Sequence, residues 1–303
     1  MMSEKKRSLS RRAGRLRGLG VAVVAIATGL AAAFGAGAPA FASGTSYYVG
    51  VYGSDSNSGT SVWTPFRTIQ KCATVALAGD TCNITAGTYR ETVTPANSGT
   101  ATAPITFQKY GTGDVTVSGT DLVNGWHQVD STDLAALAVT DPYISTSGFA
   151  SGVSAGAIYS VSVTANSGLQ GNQVFDSGSS LVQAQWPWPG TDPLNPTVEM
   201  AQSGSTTTTI VDSALTQPTN YWAGASVYTN YWFWSQTNTV SSSASGSLTL
   251  ASALTGQYPG TNSRYYLYGM LRLLSHAGSW FYDSTNHLLY VWTASGSAPA
   301  TDE

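Results

Sequence analysis

Between residues 64 and 119 the chain offers one amphipathic stretch and then only strands too short for a layered α/β sheet. No other feature narrows its folds as much. From 68 to 78 the apolar residues Ile69, Cys72, Ala73 and Ala76 recur at i, i+3, i+4 and i+7, one face of a helix of about three turns. Thr64 and Pro65 read as its N-cap and first helical residue, and Gly79 as its stop. Strand-like runs follow at 82–85, 89–93, 105–108 and 115–118, with corners at Gly87, Asn97-Ser98-Gly99, Gly111 and Gly119. With no second helix between them, such runs suit stacked coils better than a doubly wound sheet. A helical lid is then a physical requirement, because the end of a coil exposes apolar surface and unpaired backbone. A short strand at 46–49 opens the fold.

The first 42 residues stand outside that argument. Lys5, Lys6, Arg7, Arg11, Arg12, Arg15 and Arg17 form a basic leader, 21–34 is its apolar core, and Ala40-Phe41-Ala42 is a small-x-small cleavage site. This reads as a secretory signal peptide, with Ser10-Arg11-Arg12 leaving a twin-arginine signal open and an uncleaved anchor as a third reading. Without the leader, thirteen Lys and Arg fall to six and sixteen Asp and Glu to fifteen, so the remainder carries a charge of about −9. That excludes nucleic acid, whose counterions nothing here would replace. No later apolar run is long enough to span a membrane, so none is expected to after cleavage. The nine Trp and sixteen Tyr argue against disorder in a chain this rich in Ser and Thr.

The two cysteines, Cys72 and Cys82, are ten positions apart and form an even pair in an exported chain, which reads as a disulfide tying the lid to the first strand. The rival metal site lacks a nearby His or acidic cluster. Asp55 and Asn57 alternate as calcium ligands do, or as Asx turns do.

A resemblance adds to this. Gly53-Ser54-Asp55-Ser56-Asn57 with Gly59-Thr60, Pro65-Phe66 with Thr68-Ile69-Gln70, Gly79-Asp80-Thr81, Gly87-Thr88-Tyr89-Arg90-Glu91 and Ala103-Pro104-Ile105-Thr106-Phe107 together resemble the N-terminus of the pectate-lyase-like superfamily of right-handed parallel β-helices. The matching region is about a quarter of the 303 residues. It implies a fold and no single activity, since these are lid and corner residues. After Asp121, the stretches Gly125-Trp126-His127, Gln173 to Gly178, Ala184-Gln185-Trp186-Pro187, Tyr221 to Ala225, and Gly278 to Asp283 with Leu288 to Trp292 resemble the β-sandwich-like insertion that interrupts the β-helix in some carbohydrate-active members.

The expectation is an all-β chain. Residues 1–42 are the signal peptide, and 43–121 the capped first coils of a right-handed parallel β-helix. Residues 122–296 form the β-sandwich-like inserted domain, and 297–303 the tail where the β-helix would resume. The resemblance implies an extracellular monomer that processes a polysaccharide or oligosaccharide, as a glycoside hydrolase or polysaccharide lyase, with the catalytic coils outside this chain. A non-catalytic glycan-binding or cell-wall-associated β-helix protein is the alternative. No cofactor or metal is implied, save Ca²⁺ if the chemistry is that of a lyase.

No catalytic motif stands out. The three histidines, His127, His276 and His287, are dispersed and read as surface or packing residues. A lyase needs a cation beside acids, for which Arg90-Glu91, Arg264 and Arg272 are available. A glycosidase needs two facing carboxyls, for which Asp176, Asp192, Glu199, Asp212 and Asp283 are available, and nothing in the sequence pairs them. Aromatics are the better lead. Trp186, Trp188 and Trp232 are the candidate sugar contacts within a cluster that includes Tyr221, Trp222, Tyr231 and Trp234. Trp280, Tyr282, Tyr290 and Trp292, at period two, read as core.

Overall fold

The computed structural model describes residues 44–163, 173–190, 192, 195–231, 234–255 and 263–299. Among these the protein is mostly β, in several sheets of which none closes. Two compact units divide between Ser118 and Gly119. The leader lies outside the described residues, and no described helix is long and apolar enough to cross a membrane.

The first unit contains strands β1 (Ser46–Val49), β2 (Thr81–Ile84), β3 (Gly87–Arg90), β4 (Thr106–Lys109) and β5 (Val115–Ser118), with helix α1 (Ile69–Val75) between β1 and β2. Strands β1, β2 and β4 pair in parallel, aligning Tyr47, Cys82 and Phe107 in one row and Val49, Ile84 and Lys109 in another. Strands β3 and β5 also pair in parallel, Tyr89 against Val117. Both sheets of this unit are thus parallel and without a register shift. Val49, Phe66, Ile69, Cys72, Ala76, Cys82, Ile84 and Tyr89 are buried together beneath α1. The Cys72–Cys82 disulfide joins α1 to β2, a closure contributing about 3 kcal/mol on the chain-entropy estimate.

The helix departs from the sequence expectation at both ends. Its N-cap is Thr68, whose Oγ1 accepts from Lys71 N–H, and its C-cap is Ala76. Thr64 and Pro65 lie before it because Phe66, 3 % exposed, is held extended beside Val49 through a parallel bridge. Burying such a ring is worth about 1.5–3 kcal/mol, more than the cap preference of Thr64. Carboxylates serve the helix start instead. Glu91 accepts the Ile69 and Gln70 N–H groups at 2.8 and 2.7 Å. Asp55 accepts those of Arg67 and Thr68, both at 2.9 Å, and the Thr68 hydroxyl at 2.8 Å.

The second unit opens with β6 (His127–Gln128), α2 (Ser131–Thr140), a 3-10 turn at Ile144–Thr146, α3 (Gly148–Ser154) and β7 (Ile158–Ser162). Short strands follow: β8 (Phe175–Asp176), β9 (Ser179–Ser180), β10 (Val182–Gln183), β11 (Gln185–Trp186), β12 (Glu199–Met200) and β13 (Thr209–Val211). The longer ones are β14 (Ser226–Tyr231), β15 (Trp234–Ala244), β16 (Ser247–Leu250), β17 (Arg264–Tyr268), β18 (Ser279–Asp283) and β19 (Leu288–Trp292). One sheet runs β10-β18-β19-β7-β6, and the other β11-β17-β14-β15-β16-β13 with β12 also on β17.

Two features here differ from a plain sandwich. Helices α2 and α3 pack on the first sheet through Leu134, Leu137, Phe149 and Val153, a layer the sequence reading omits. The aromatics at period two do not share one core either. Trp280 pairs with Val291 and Phe281 with Tyr290, so Trp280 and Tyr290 lie on opposite faces of the same sheet. Tyr290 and Trp292 join the main core, while Trp280 and Tyr282 join a smaller one with Val161, Leu181 and Leu289. The sheet is buried on both sides.

Candidate functional site

The three candidate tryptophans have different surroundings. Trp186 lies opposite Leu267 on the core face of its sheet, its ring 5.1 Å from Trp222 and 6.4 Å from Tyr265. It walls the core. Trp188 is half-buried and lies flat on the His276 imidazole, 4.5 Å away and 10° from parallel. Burial lowers the His276 pKa, which keeps the ring neutral, and its Nδ1 pairs with Ser275 Oγ at 2.8 Å. Trp232 lies outside the described residues.

The carboxylates are largely absorbed by the fold. Asp283 accepts from Thr285 N–H and from the Asn286 backbone and side-chain amides in the β18–β19 turn. Asp176 begins the Ser177-Gly178 turn between β8 and β9, where both residues have positive φ. Asp192 accepts from Asn195 Nδ2 at 2.8 Å. Glu199 and Asp212 are electrostatically coupled. Burial, and then the Asp212 charge, raise the Glu199 pKa. Asp212 is only 1 % exposed and accepts from Tyr265 Oη, Gln202 Nε2 and Ala214 N–H at 2.8, 2.9 and 2.9 Å. A carboxylate so sealed and so fully bonded is structural.

Arg90, Arg272 and two of the histidines are also engaged, while Arg264 is exposed. Glu91 caps α1, and Arg90 Nη1 reaches Ser118 Oγ at 3.4 Å. Arg272, 5 % exposed, donates to Asp141 and to the Tyr221 carbonyl between the Tyr143 and Tyr221 rings. His127 pairs with Asp133, and His287 Nδ1 with Tyr282 Oη at 3.1 Å. Among the described residues no group of three or more His, Cys, Asp or Glu is placed to hold a metal ion.

What the sequence reading missed is the outer face of the second sheet. In β17, Tyr265 and Leu267 point into the core, so Tyr266 and Tyr268 point out. Register sets Tyr228 opposite Tyr266, and Ser226 opposite Tyr268. The Tyr228 and Tyr266 rings stack at 5.0 Å, with Tyr268 5.7 Å from Tyr266. Gln185 shares this face opposite Tyr268, and Arg264 lies opposite Asn230. The Tyr266 ring walls a cleft of about 330 Å³ lined also by Gln185, Pro189, Asp192 and Val198. Burial and the two neighbouring tyrosines raise the Tyr266 phenol, which stays a neutral donor. A stacked aromatic wall with an amide and a carboxylate at its rim suits a hydroxyl-bearing ring. The alternation Tyr265-Tyr266-Leu267-Tyr268 carried the signal.

No family model matches the chain. The uncharacterised protein YwoF of Bacillus subtilis (strain 168) is 42 % identical over 86 residues, 28 % of this chain and 18 % of that protein. A solved structure described as a glycoside hydrolase superposes with a TM-score of 0.56 at 16 % identity, covering 85 % of this chain and 44 % of the other. The complex of XylC with xylose gives a TM-score of 0.31 at 14 % identity over 82 % of this chain and 31 % of that one, too low to carry an argument. The chain thus spans less than half the length of each of these proteins and shares its fold with the first of the two solved structures.

Proposed function

We propose that the chain is the glycan-contacting part of an exported polysaccharide-processing protein. In this reading the first unit starts a right-handed parallel β-helix, and the second is a β-sandwich-like insertion that meets the sugar. The fold shared with a glycoside hydrolase over 85 % of this chain carries the reading. The in-register parallel stacking of β2 with β4 and β3 with β5 supports it. So does the disulfide-tied lid, which also fits export to an oxidising compartment. Trp188 on His276 and the Tyr228–Tyr266–Tyr268 row are the proposed sugar contacts, and Trp232 remains a sequence-based candidate. The protein acts as a monomer in this reading. No cofactor is invoked, and Ca²⁺ belongs only to a lyase-type chemistry.

One observation favours contact without turnover. Asp212 is occupied in the core and Asp283 in a turn, and Asp192 lines its cleft without a second carboxylate among the described residues. A glycan panel read for both binding and product release tests the proposal. Saturable binding of a neutral glycan, weakened by Tyr266→Ala, is the expected result. Failure of every glycan to bind sinks it.

A further inference from the structure

A second cleft of the second unit lies between α2 and the β6–β7–β19 side of the five-stranded sheet. It measures about 440 Å³ and is lined by His127, Asp133, Leu137, Ser160, Leu288 and Tyr290, among others. That volume falls in the range of small-molecule sites, roughly 300–1,000 Å³. Register builds its floor. His127 lies opposite Ser160, and Ser160 opposite Tyr290, so three polar side chains from three strands form one row on the face toward α2. The capping box of α2 builds its wall. Asp130 accepts from the N–H groups of Thr132 and Asp133, and Asp133 Oδ2 accepts from Asp130 N–H at 2.9 Å. The same Asp133 oxygen lies 2.8 Å from His127 Nε2.

Two members of that row are incompletely satisfied. Ser160 is 8 % exposed and Tyr290 is 5 % exposed. Neither hydroxyl has a hydrogen-bond partner among the described residues, and neither oxygen is sealed from solvent. Nearly buried hydroxyls that open only onto a cleft are where a structure leaves room for a bound polar group. We propose that this cleft binds one neutral sugar ring, with Ser160 and Tyr290 donating to its oxygens, Asp133 accepting from a ring hydroxyl, and Val129, Leu137 and Leu288 meeting its C–H face.

Charge sets the class of ligand. Among the described residues Asp133 is the only carboxylate lining the cleft, and no Lys or Arg lines it. The Asp130 N–H first, and His127 second, hold the Asp133 carboxyl below its usual range. Burial, with the charges of Asp283 and Asp133, pushes the Tyr290 phenol up to about 12, so it remains a donor. A uronate would meet the Asp133 charge with no cation to offset it. The choice of a sugar over another polyol rests on the polysaccharide reading above, whereas the cleft and its open hydroxyls do not.

Backbone-amide NMR titration of the full chain after removal of the leader tests this, with the methyl glycosides of glucose, galactose, mannose and xylose and with glucuronate. At least one neutral glycoside should shift amides at 127–140, 160–162 and 288–290 saturably, with Kd on the order of millimolar, and glucuronate should not. Ser160→Ala and Tyr290→Phe should each weaken binding by roughly fivefold, and Trp63→Ala, at an exposed position of the first unit, should not. If Tyr290→Phe fails to fold, His127→Gln, at the exposed end of the same row, takes its place with the same expectation. Absence of saturable shifts at these amides, equal response to glucuronate, or indifference to the cleft variants overturns the proposal. Glycan polymer bound without shifts at these amides removes the cleft and leaves the polysaccharide reading standing. Shifts at the cleft in a protein that binds no polymer do the reverse.

Discussion

Arg272 is a buried cation with a demanding environment. Its guanidinium is 5 % exposed, donates to Asp141 and the Tyr221 carbonyl, and lies 4.9 Å from the Tyr221 ring centre. Its Nε is sealed without a partner. Breaking a buried ion pair from one side costs about 3–5 kcal/mol, because the remaining charge is stranded. Asp141→Ala should therefore lower stability in urea by about 3 kcal/mol. Arg272→Met, which fills the same space without charge, should cost less. Equal losses would show that packing, not charge, holds this region together. In the sequence Arg272 was one of three cations weighed for a lyase site. Its partners lie 131 and 51 residues away, a distance no local pattern reveals.

At the scale of elements, what the sequence made legible depended on whether the deciding contact was local. The short β-prone runs at 46–49 and 115–118 matched β1 and β5 at their observed bounds, because residue type within a few positions decides a strand this short. The start of α1 was misplaced because Thr64-Pro65 carries a good local signature, while burial of Phe66 and the reach of Glu91 are long-range. Helix α2 was legible and passed over. Asp130 and Asp133 form a capping box with a second Asp in place of Glu or Gln, followed by Leu134, Leu137 and Ala138 on one side. Of the candidate site, the aromatic richness was readable, but which rings face out depends on register, and the half-buried Trp186 ring packs against Trp222. The α1 start yields a second prediction. Glu91→Ala removes acceptors from two helix N–H groups and should cost about 1–2 kcal/mol, measured by thermal melting. Glu91→Gln keeps one acceptor and loses the charge at the positive end of the helix, so it should fall between. A variant as stable as wild type would assign the cap to Thr68 and Asp55 alone.

Across the whole molecule, each unit carries its own core, one under a disulfide-tied helix and the other divided by a sheet that is covered on both sides. That covered sheet restricts which mutations can accumulate. In β19 the consecutive residues Leu289, Tyr290 and Val291 are 6 %, 5 % and 1 % exposed, whereas over much of β15 burial varies between neighbouring residues. A library of all single substitutions, sorted for folded protein, should find β19 intolerant at every one of those positions and β15 permissive at its exposed ones. If β19 tolerated alternate residues, one of its two covers would be loose. Otherwise descendants of this chain would diverge along the outer ladders and loops, while the central strand stays nearly frozen as a record of ancestry.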